Sequence, residues 1–456
     1  MPNDSYKINN PSIKLRDIPR AALLIWNKYG LKGFLCKFIN FILLKLKINL
    51  FLKEIDSQVP QPLIKNELNA KELYDEKFRN IQPMKYIKVE RDRYRINIVT
   101  DSTKKESLFG GVATSLILAT LFANKYNLTL RIVTRETENN PIDFEDFLKL
   151  MNIDNPREVE YFSDYDRKNP GSNSGIETSD RDIYLTTSWW TTKAVEDINF
   201  RKNYFYILQE VEPFFYPSGD DQSLCATALL KKNVKYIINS KLLYDYYLQN
   251  NYINVIENGI YFEPAFPENI YSPKIKTAAK NKYKLFFYAR PNNPRNMFYT
   301  GIKILEDAIS AGIIKKNEWN IYFAGSNIDS VSFSNEMKSI SLGQLTWLQY
   351  SEFIKNVDLG LCLMRTPHPS YPPLDIAASG GVVLTNKFLN KKSLGCYSEN
   401  IICSDMDAVS SLEIFAKAVA LAKDNQKRKN NFQKNNIERS WEKTFEKVLE
   451  FMYEVK

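Results

Sequence analysis

A chain of 456 residues with 44% hydrophobic content, 27 tyrosines, 27 phenylalanines and 6 tryptophans carries enough apolar side chain for two packed domains, which excludes a disordered protein. The formal charge of +9 is too dilute over this length to indicate nucleic acid and suits a protein that meets anions: phosphates, or an acidic lipid surface. A single histidine, His368, and five cysteines (Cys36, Cys225, Cys362, Cys396, Cys403) without a Cys-x-x-Cys pair exclude a zinc site, and no G-x-S-x-G elbow supports a Ser-His-Asp hydrolase.

Residues 1–80 read as a helical amphipathic extension and linker. The opening MPNDSYKINNPS has no secretory signal pattern. The stretch AALLIWNKYGLKGFLCKFINFILLKLKINLFL is apolar but interrupted by Lys28, Lys32, Lys37, Lys45 and Lys47, so no uncharged run reaches the roughly 18–20 residues that span a bilayer. Trp26, Phe34, Phe38 and Phe41 suit an interfacial helix, so residues 20–52 point to the inner face of the cytoplasmic membrane; packing on protein is the equal alternative. The expected location is cytoplasmic.

Residues 81–265 alternate strand and helix patterns: RINIVTD (95–101), the helix FGGVATSLILATLFANKYN, LTLRIVTR, DIYLTTSWW, YFYILQEVEPFF, KYIINSKLLYDYYLQN and YINVIENGI. Residues 266–435 restart the series with KYKLFFYARP (282–291), NMFYTGIKILEDAISAG, WNIYFAGS, SEFIKNVDLGLCLM and VVLTN. Residues 436–456 form an amphipathic helix expected to pack back on the N-terminal domain. The fold class is α/β: two Rossmann-like, doubly wound domains facing a cleft, with ligands at the carboxyl ends of the strands.

Four stretches carry chemistry. In PHPSYPPLDIAASGG (367–381), Pro372 and Pro373 suit a helix start near Leu374 and two glycines suit its stop. The N–H groups of Ser370 and Tyr371, beside His368 and near a positive helix end, can hold a pyrophosphate, and Asp375 can accept from a ribose; the plainer reading is a rigid turn with a capping acid. FYARPNNPRNMF (287–298) puts Arg290, Arg295 and Asn296 on a loop after a strand, where guanidinium groups grip phosphate. YILQEVEPFFYPSGD (206–220) ends a strand in Gln209, Glu210 and Glu212, acids that can orient or deprotonate a sugar hydroxyl; a solvated loop is the plainer reading. FGGVATS (109–115) sets Gly110 and Gly111 where backbone can approach a ligand, without a G-x-G-x-x-G fingerprint. The triplets SDYD (163–166), SDRD (179–182) and SDMD (404–407) read as ordinary loops, so no metal is assigned.

QEVEPFFYP, FYARPNNPRN and PHPSYPPLDIAASGG with the following VVLTN together resemble the GT-B glycosyltransferases, in particular the WsaF-like rhamnosyltransferase group related to glycosyltransferase family 4, over roughly residues 86–440. The resemblance implies a nucleotide-diphosphate sugar donor, dTDP-β-L-rhamnose, held by the C-terminal domain. It places Arg290 and Arg295 at the diphosphate, Ser370 and Tyr371 as backbone donors, Asp375 at the ribose, and Thr346 and Trp347 of LGQLTWLQY at the base. Gly110, Gly111, Gln209, Glu210 and Glu212 would face the acceptor, with the two glutamates as candidate catalytic bases. The sequence departs from the broader family at Pro367, where the first acid of a glutamate pair would stand, and at Asp375, an aspartate in place of the second glutamate. The expected activity is rhamnosyl transfer onto a glycan or lipid-linked glycan of a bacterial surface, with retention, no metal and no cofactor. A transferase for a UDP- or GDP-linked sugar and a non-catalytic assembly subunit are the alternatives, discriminated by which sugar nucleotide binds.

Overall fold

The computed structural model describes residues 69–108, 110–164, 175–198, 204–273, 282–325, 328–405 and 408–455; the lysine-rich segment 20–52 and the second acids of SDYD and SDMD lie outside them. The chain divides into two units, Met1–Lys77 and Phe78–Lys456. The described part of the first is the polar helix Ala70–Lys77, with a Lys71–Asp75 pair one turn apart.

The strands of the second unit, in chain order, are β1 (Tyr86–Lys88), β2 (Arg95–Thr100), β3 (Thr129–Thr134), β4 (Val159–Ser163), β5 (Ile176–Thr178), β6 (Asp182–Thr186), β7 (Tyr204–Leu208), β8 (Val234–Asn239), β9 (Gly259–Phe262), β10 (Tyr283–Tyr288), β11 (Trp319–Ala324), β12 (Ser339–Ser341), β13 (Leu359–Leu361), β14 (Val382–Asn386) and β15 (Ile401–Ser404). They build two parallel sheets, ordered β4-β3-β2-β6-β7-β8-β9 and β12-β11-β10-β13-β14-β15, with a small β1–β5 pair beside the first. The strands β2, β3, β6, β7 and β14 are buried along their whole length. That is the signature of parallel strands covered by helices on both faces, and it explains their continuous apolar runs. The two doubly wound units expected from the sequence are therefore present. Each sheet reverses its winding once, between β2 and β6 and between β10 and β13, and such switch points open a crevice at the carboxyl edge.

The last helix, Trp441–Val455, buries Trp441, Phe445, Val448, Leu449 and Met452, an i, i+4, i+7, i+8, i+11 stripe. It lies on the first domain: Phe445 meets Phe262 at 4.9 Å between ring centroids, Tyr453 stacks on Tyr126 at 4.2 Å, and the Tyr126 hydroxyl donates to Leu449 O at 3.3 Å. The Arg439 guanidinium, just before this helix, donates to Phe266 O, Tyr271 O and Ala378 O at 3.0, 3.0 and 3.1 Å, pinning the crossover where both domains meet.

Near the amino ends of the first sheet's strands sits a buried ionic network. Arg95 donates to both Asp182 oxygens at 2.6 and 3.0 Å and also to Glu160; Asn97 Nδ2 donates to Asp182 at 2.9 Å; Arg131 donates to Asn97 Oδ1 at 2.6 Å. Asp182 also accepts from Ser179 N at 2.6 Å. The SDRD triplet is thus a strand-entry staple, away from the carboxyl edge where ligands bind. Asp164 of SDYD is likewise taken up, by Arg135 at 3.1 Å. Burial pushes the Asp182 carboxyl up, but hydrogen bonds from Arg95 and Asn97 outweigh it and hold the group below the ordinary carboxylate range.

Asp182→Ala removes the bidentate partner of a buried guanidinium, leaving it Glu160 alone as counter-charge, and is expected to cost about 3–5 kcal/mol in urea unfolding. Because the folded carboxyl is depressed, its contribution is complete above the ordinary carboxylate pKa of about 4 and fades as pH falls through the folded value. The stability gap between wild type and Asp182→Asn should therefore narrow on acidification; a constant gap contradicts the charged pairing.

Candidate functional site

Four loops at the carboxyl edges converge: the segment after β7 from the first domain, and those after β10, β13 and β14 from the second. Hydrogen bonds to the backbone tie the last three together. Arg365 N donates to Arg295 O at 2.8 Å, Met364 N to Asn386 Oδ1 at 2.7 Å, and the fully buried Asn296 donates to Leu363 O at 3.3 Å. Asn296 is thus a brace between loops. Across the domain junction, Arg295 Nη1 lies 3.4 Å from Glu210 Oε2, the Thr366 hydroxyl donates to the same oxygen, and the Arg295 guanidinium lies 4.2 Å from the centroid of the Phe215 ring. Burial raises the Glu210 carboxyl above the ordinary range, with Arg295 and Thr366 opposing.

The proline corner behaves differently from its sequence expectation. The helix spans Tyr371–Ala378, starting three residues before Leu374, since first-turn amides have no intrahelical partner and Pro372 and Pro373 lose nothing there. Ser370 is its N-cap at φ +70°, a left-handed conformation unusual for serine. A serine cap normally accepts from the second or third helical amide. Both of those are prolines, so Ser370 Oγ has no amide to cap and is buried without a partner. The Ser370 N–H is not free either: it donates to His368 Nδ1 at 2.9 Å. Of the two amides expected to face an anion, Tyr371 N–H is the one the helix start leaves.

That bond also fixes His368. Nδ1 accepts, so the proton of the neutral ring sits on Nε2, which is buried and without a partner. His368 is 2% exposed, and burial, with Lys391 and Arg295 nearby, pulls its pKa down to about 3. Lys391 is the group the sequence reading missed. It is 0% exposed, its ammonium donates to Met364 O at 3.3 Å, and burial lowers its pKa to about 8 against the pull of Cys403 and Glu210. In the sequence it sits within KFLNKKSLG, which looks like a solvated basic turn.

Tyr371 crosses into the first domain. Its hydroxyl meets Thr114 Oγ1 at 2.5 Å, accepts from Asn239 Nδ2 at 2.8 Å and donates to Gln209 Oε1 at 3.4 Å. Gln209 Nε2 donates to Gly111 O at 2.6 Å. A Cβ on Gly110, at φ +49°, would lie 3.4 Å from the Tyr371 ring, and one on Gly111 2.9 Å from Gln209 Nε2. The space beside these glycines, expected for a ligand, holds the protein's own Tyr371 and Gln209.

The remaining expected residues separate from the cluster. Arg290 is exposed, and its guanidinium donates to Tyr288 at 3.4 Å. Glu212 is 3% exposed inside the first domain, where it accepts from Trp189 N at 2.8 Å; burial raises its pKa to about 8. It is a helix anchor, so of the two candidate bases only Glu210 reaches the junction. Thr346 caps the helix Trp347–Ile354 in a reciprocal pair with Gln349. Asp375 accepts from Tyr350 at 2.9 Å through Oδ2, its Oδ1 is buried without a partner, and burial raises its pKa to about 7. Asp375, Trp347, Tyr271, Tyr371 and Trp441 line a pocket with about 430 Å³ of empty space, part of it open to solvent.

Two family models match the chain: WsaF, N-terminal domain, over residues 95–241, and WsaF, C-terminal domain, over residues 283–414, together more than half of it. The O-antigen biosynthesis protein RfbC of Myxococcus xanthus is 26% identical over 272 residues, 59% of this chain; the chain spans about a fifth of that protein's length (20%). Among solved structures, Anabaena HepE in complex with UDP and glucose superposes with a TM-score of 0.54 at 13% identity, over 78% of this chain and 99% of its own. TarM superposes with a TM-score of 0.52 at 10% identity, over 79% of this chain and 99% of its own. At such identities the superpositions speak for the fold. The two matched models and the two facing doubly wound domains lead to one conclusion: the chain belongs to the WsaF family and has the GT-B fold.

Proposed function

We propose that the chain is a glycosyltransferase that takes a nucleoside-diphosphate sugar and extends a bacterial surface glycan. The observation that carries this reading is the junction of Glu210 with Arg295 and Thr366, flanked by the buried donor His368 Nε2, at the carboxyl edge of both sheets. Arg295 and the Tyr371 amide would stabilise the charge on the departing diphosphate. Glu210 would hold Arg295 in place and orient the acceptor hydroxyl. The surface-glycan assignment draws support from the O-antigen relative, and the diphosphate donor from the UDP bound by HepE.

In the finer reading the sugar is L-rhamnose from dTDP-β-L-rhamnose, transferred with retention and without a metal. This rests on the resemblance of the three motifs. With Pro367 in place of an acid, the sugar contact that a glutamate would make there is missing or replaced. The same proposal attaches the enzyme to the inner face of the cytoplasmic membrane through residues 20–52. Among the described residues no helix is long and apolar enough to cross a membrane.

A thermal-shift panel of dTDP-, UDP- and GDP-sugars should give its largest shift with dTDP-rhamnose, since a ligand at about 100 times its Kd stabilises by about 2.7 kcal/mol. A larger shift with a UDP-sugar would replace the rhamnosyl reading, and no shift at all would favour an assembly subunit. Arg295→Ala should lower kcat by about 10²–10³-fold. Arg290→Ala, at an exposed position, should change it far less; equal losses would contradict the distinction drawn here. Liposomes of anionic lipid should pellet the full chain but not one lacking residues 1–80, and equal pelleting would remove the membrane assignment.

A further inference from the structure

Lys391 belongs to none of the motifs and has no role in the donor reading above. It lies in the turn after β14, a turn held against the first domain by Asn390, whose Nδ2 donates to Leu242 O at 2.8 Å, and by Phe388, whose ring meets Phe214 edge-on at 6.0 Å. The side chain is fully buried and its ammonium donates to one backbone oxygen, Met364 O at 3.3 Å. Burying an ammonium is costly unless an anion meets it. The acid that supports its charge is Glu210, and that carboxylate is already shared by Arg295 and Thr366. His368 cannot help, because its Nδ1 is bound to Ser370 N and its Nε2 presents a hydrogen. Cys403 of β15 is the other titratable group facing Lys391. When Lys391 is protonated, two cations therefore stand against one carboxylate, beside a buried histidine N–H and a buried serine hydroxyl that have no partner. The local balance calls for an anion.

We propose that Lys391 is a donor-binding residue whose ammonium, with the Nε2–H of His368, takes the oxygens of the phosphoryl group that carries the sugar. The inference rests on the nucleoside-diphosphate reading and goes beyond it by naming the groups that read the second phosphoryl. A charged phosphoryl group fits better than sugar hydroxyls, because hydroxyls leave the surplus positive charge uncompensated. Lys391→Met keeps the length and apolar stem of the side chain while removing that charge.

Calorimetric titration of the full chain with UDP, dTDP, UMP and dTMP separates the outcomes. Lys391→Met should weaken diphosphate binding by about tenfold to hundredfold, the range of a charge-assisted hydrogen bond. Monophosphate binding should change little, and Lys391→Arg should recover part of the loss. Wild type needs no variant for a second readout. Binding an anion raises the ammonium pKa from about 8, so diphosphate titrations near that pH, in buffers of different ionisation enthalpy, should show net proton uptake. A terminal phosphate is already ionised there and adds none. Diphosphate affinity unchanged in Lys391→Met, equal losses for monophosphates, or no proton uptake by wild type overturns the role of Lys391 alone. Wild type that binds glucuronate, with that binding lost in Lys391→Met, reassigns the site to a sugar carboxylate and overturns it too. Wild type that binds neither diphosphate overturns both this inference and the reading it rests on.

Discussion

The half-buried contact of Glu210 with Arg295 and Thr366 is the constraint on which the site depends. It joins the end of β7 in one domain to two loops of the other, and it sets the charge of everything near it. A carboxylate alone at this depth would be driven to take up a proton. Arg295 supplies part of the compensation, and its guanidinium in turn rests on the Phe215 ring. Each of these groups is held by another from the opposite domain, so the geometry exists only when both domains are together.

Two features keep the domains in that arrangement. Tyr371 reaches from the second domain into a hydroxyl and amide cage made by Thr114, Asn239 and Gln209, and the missing side chain at Gly111 leaves room for the Gln209 amide of that cage. Arg439 and the final helix close the other side, where aromatic rings of the chain's end pack on the first domain. The proline-stiffened corner then has a physical purpose. By removing the second and third amides of the helix, the prolines leave Ser370 Oγ without an amide to cap; His368 Nε2, beside it, is a buried donor without an internal acceptor.

The sequence was legible where burial is complete. Fully buried strands such as Arg95–Thr100 and Tyr204–Leu208 are continuous apolar runs, and the two doubly wound units follow from them. Of the strands in the two large sheets, those it did not reveal are β4, β12 and β15, which lie at sheet edges and are only partly covered, so that VEYFS and IICS lack a pattern; the small β1–β5 pair was missed as well. Glu210 and Glu212 could not be told apart by spacing. One ends at the junction and the other anchors a helix at Trp189 N, a difference made by the short 3₁₀ turn Glu212–Phe215. Arg290 and Arg295 looked equivalent on one loop, yet the turn at Asn293 and Pro294 brings Arg295, half-buried, onto Glu210 and leaves Arg290 exposed. Lys391 was invisible because buried lysines are rare and nothing in a basic turn marks one.

The most direct test is a crystal structure of the chain with a bound nucleoside diphosphate. Phosphoryl oxygens within about 2.7–3.2 Å of Arg295 Nη1 and the Tyr371 amide, with Glu210 still on Arg295, are the expected result. A diphosphate seated away from Arg295, with the Glu210 contact and His368 untouched, would contradict the account.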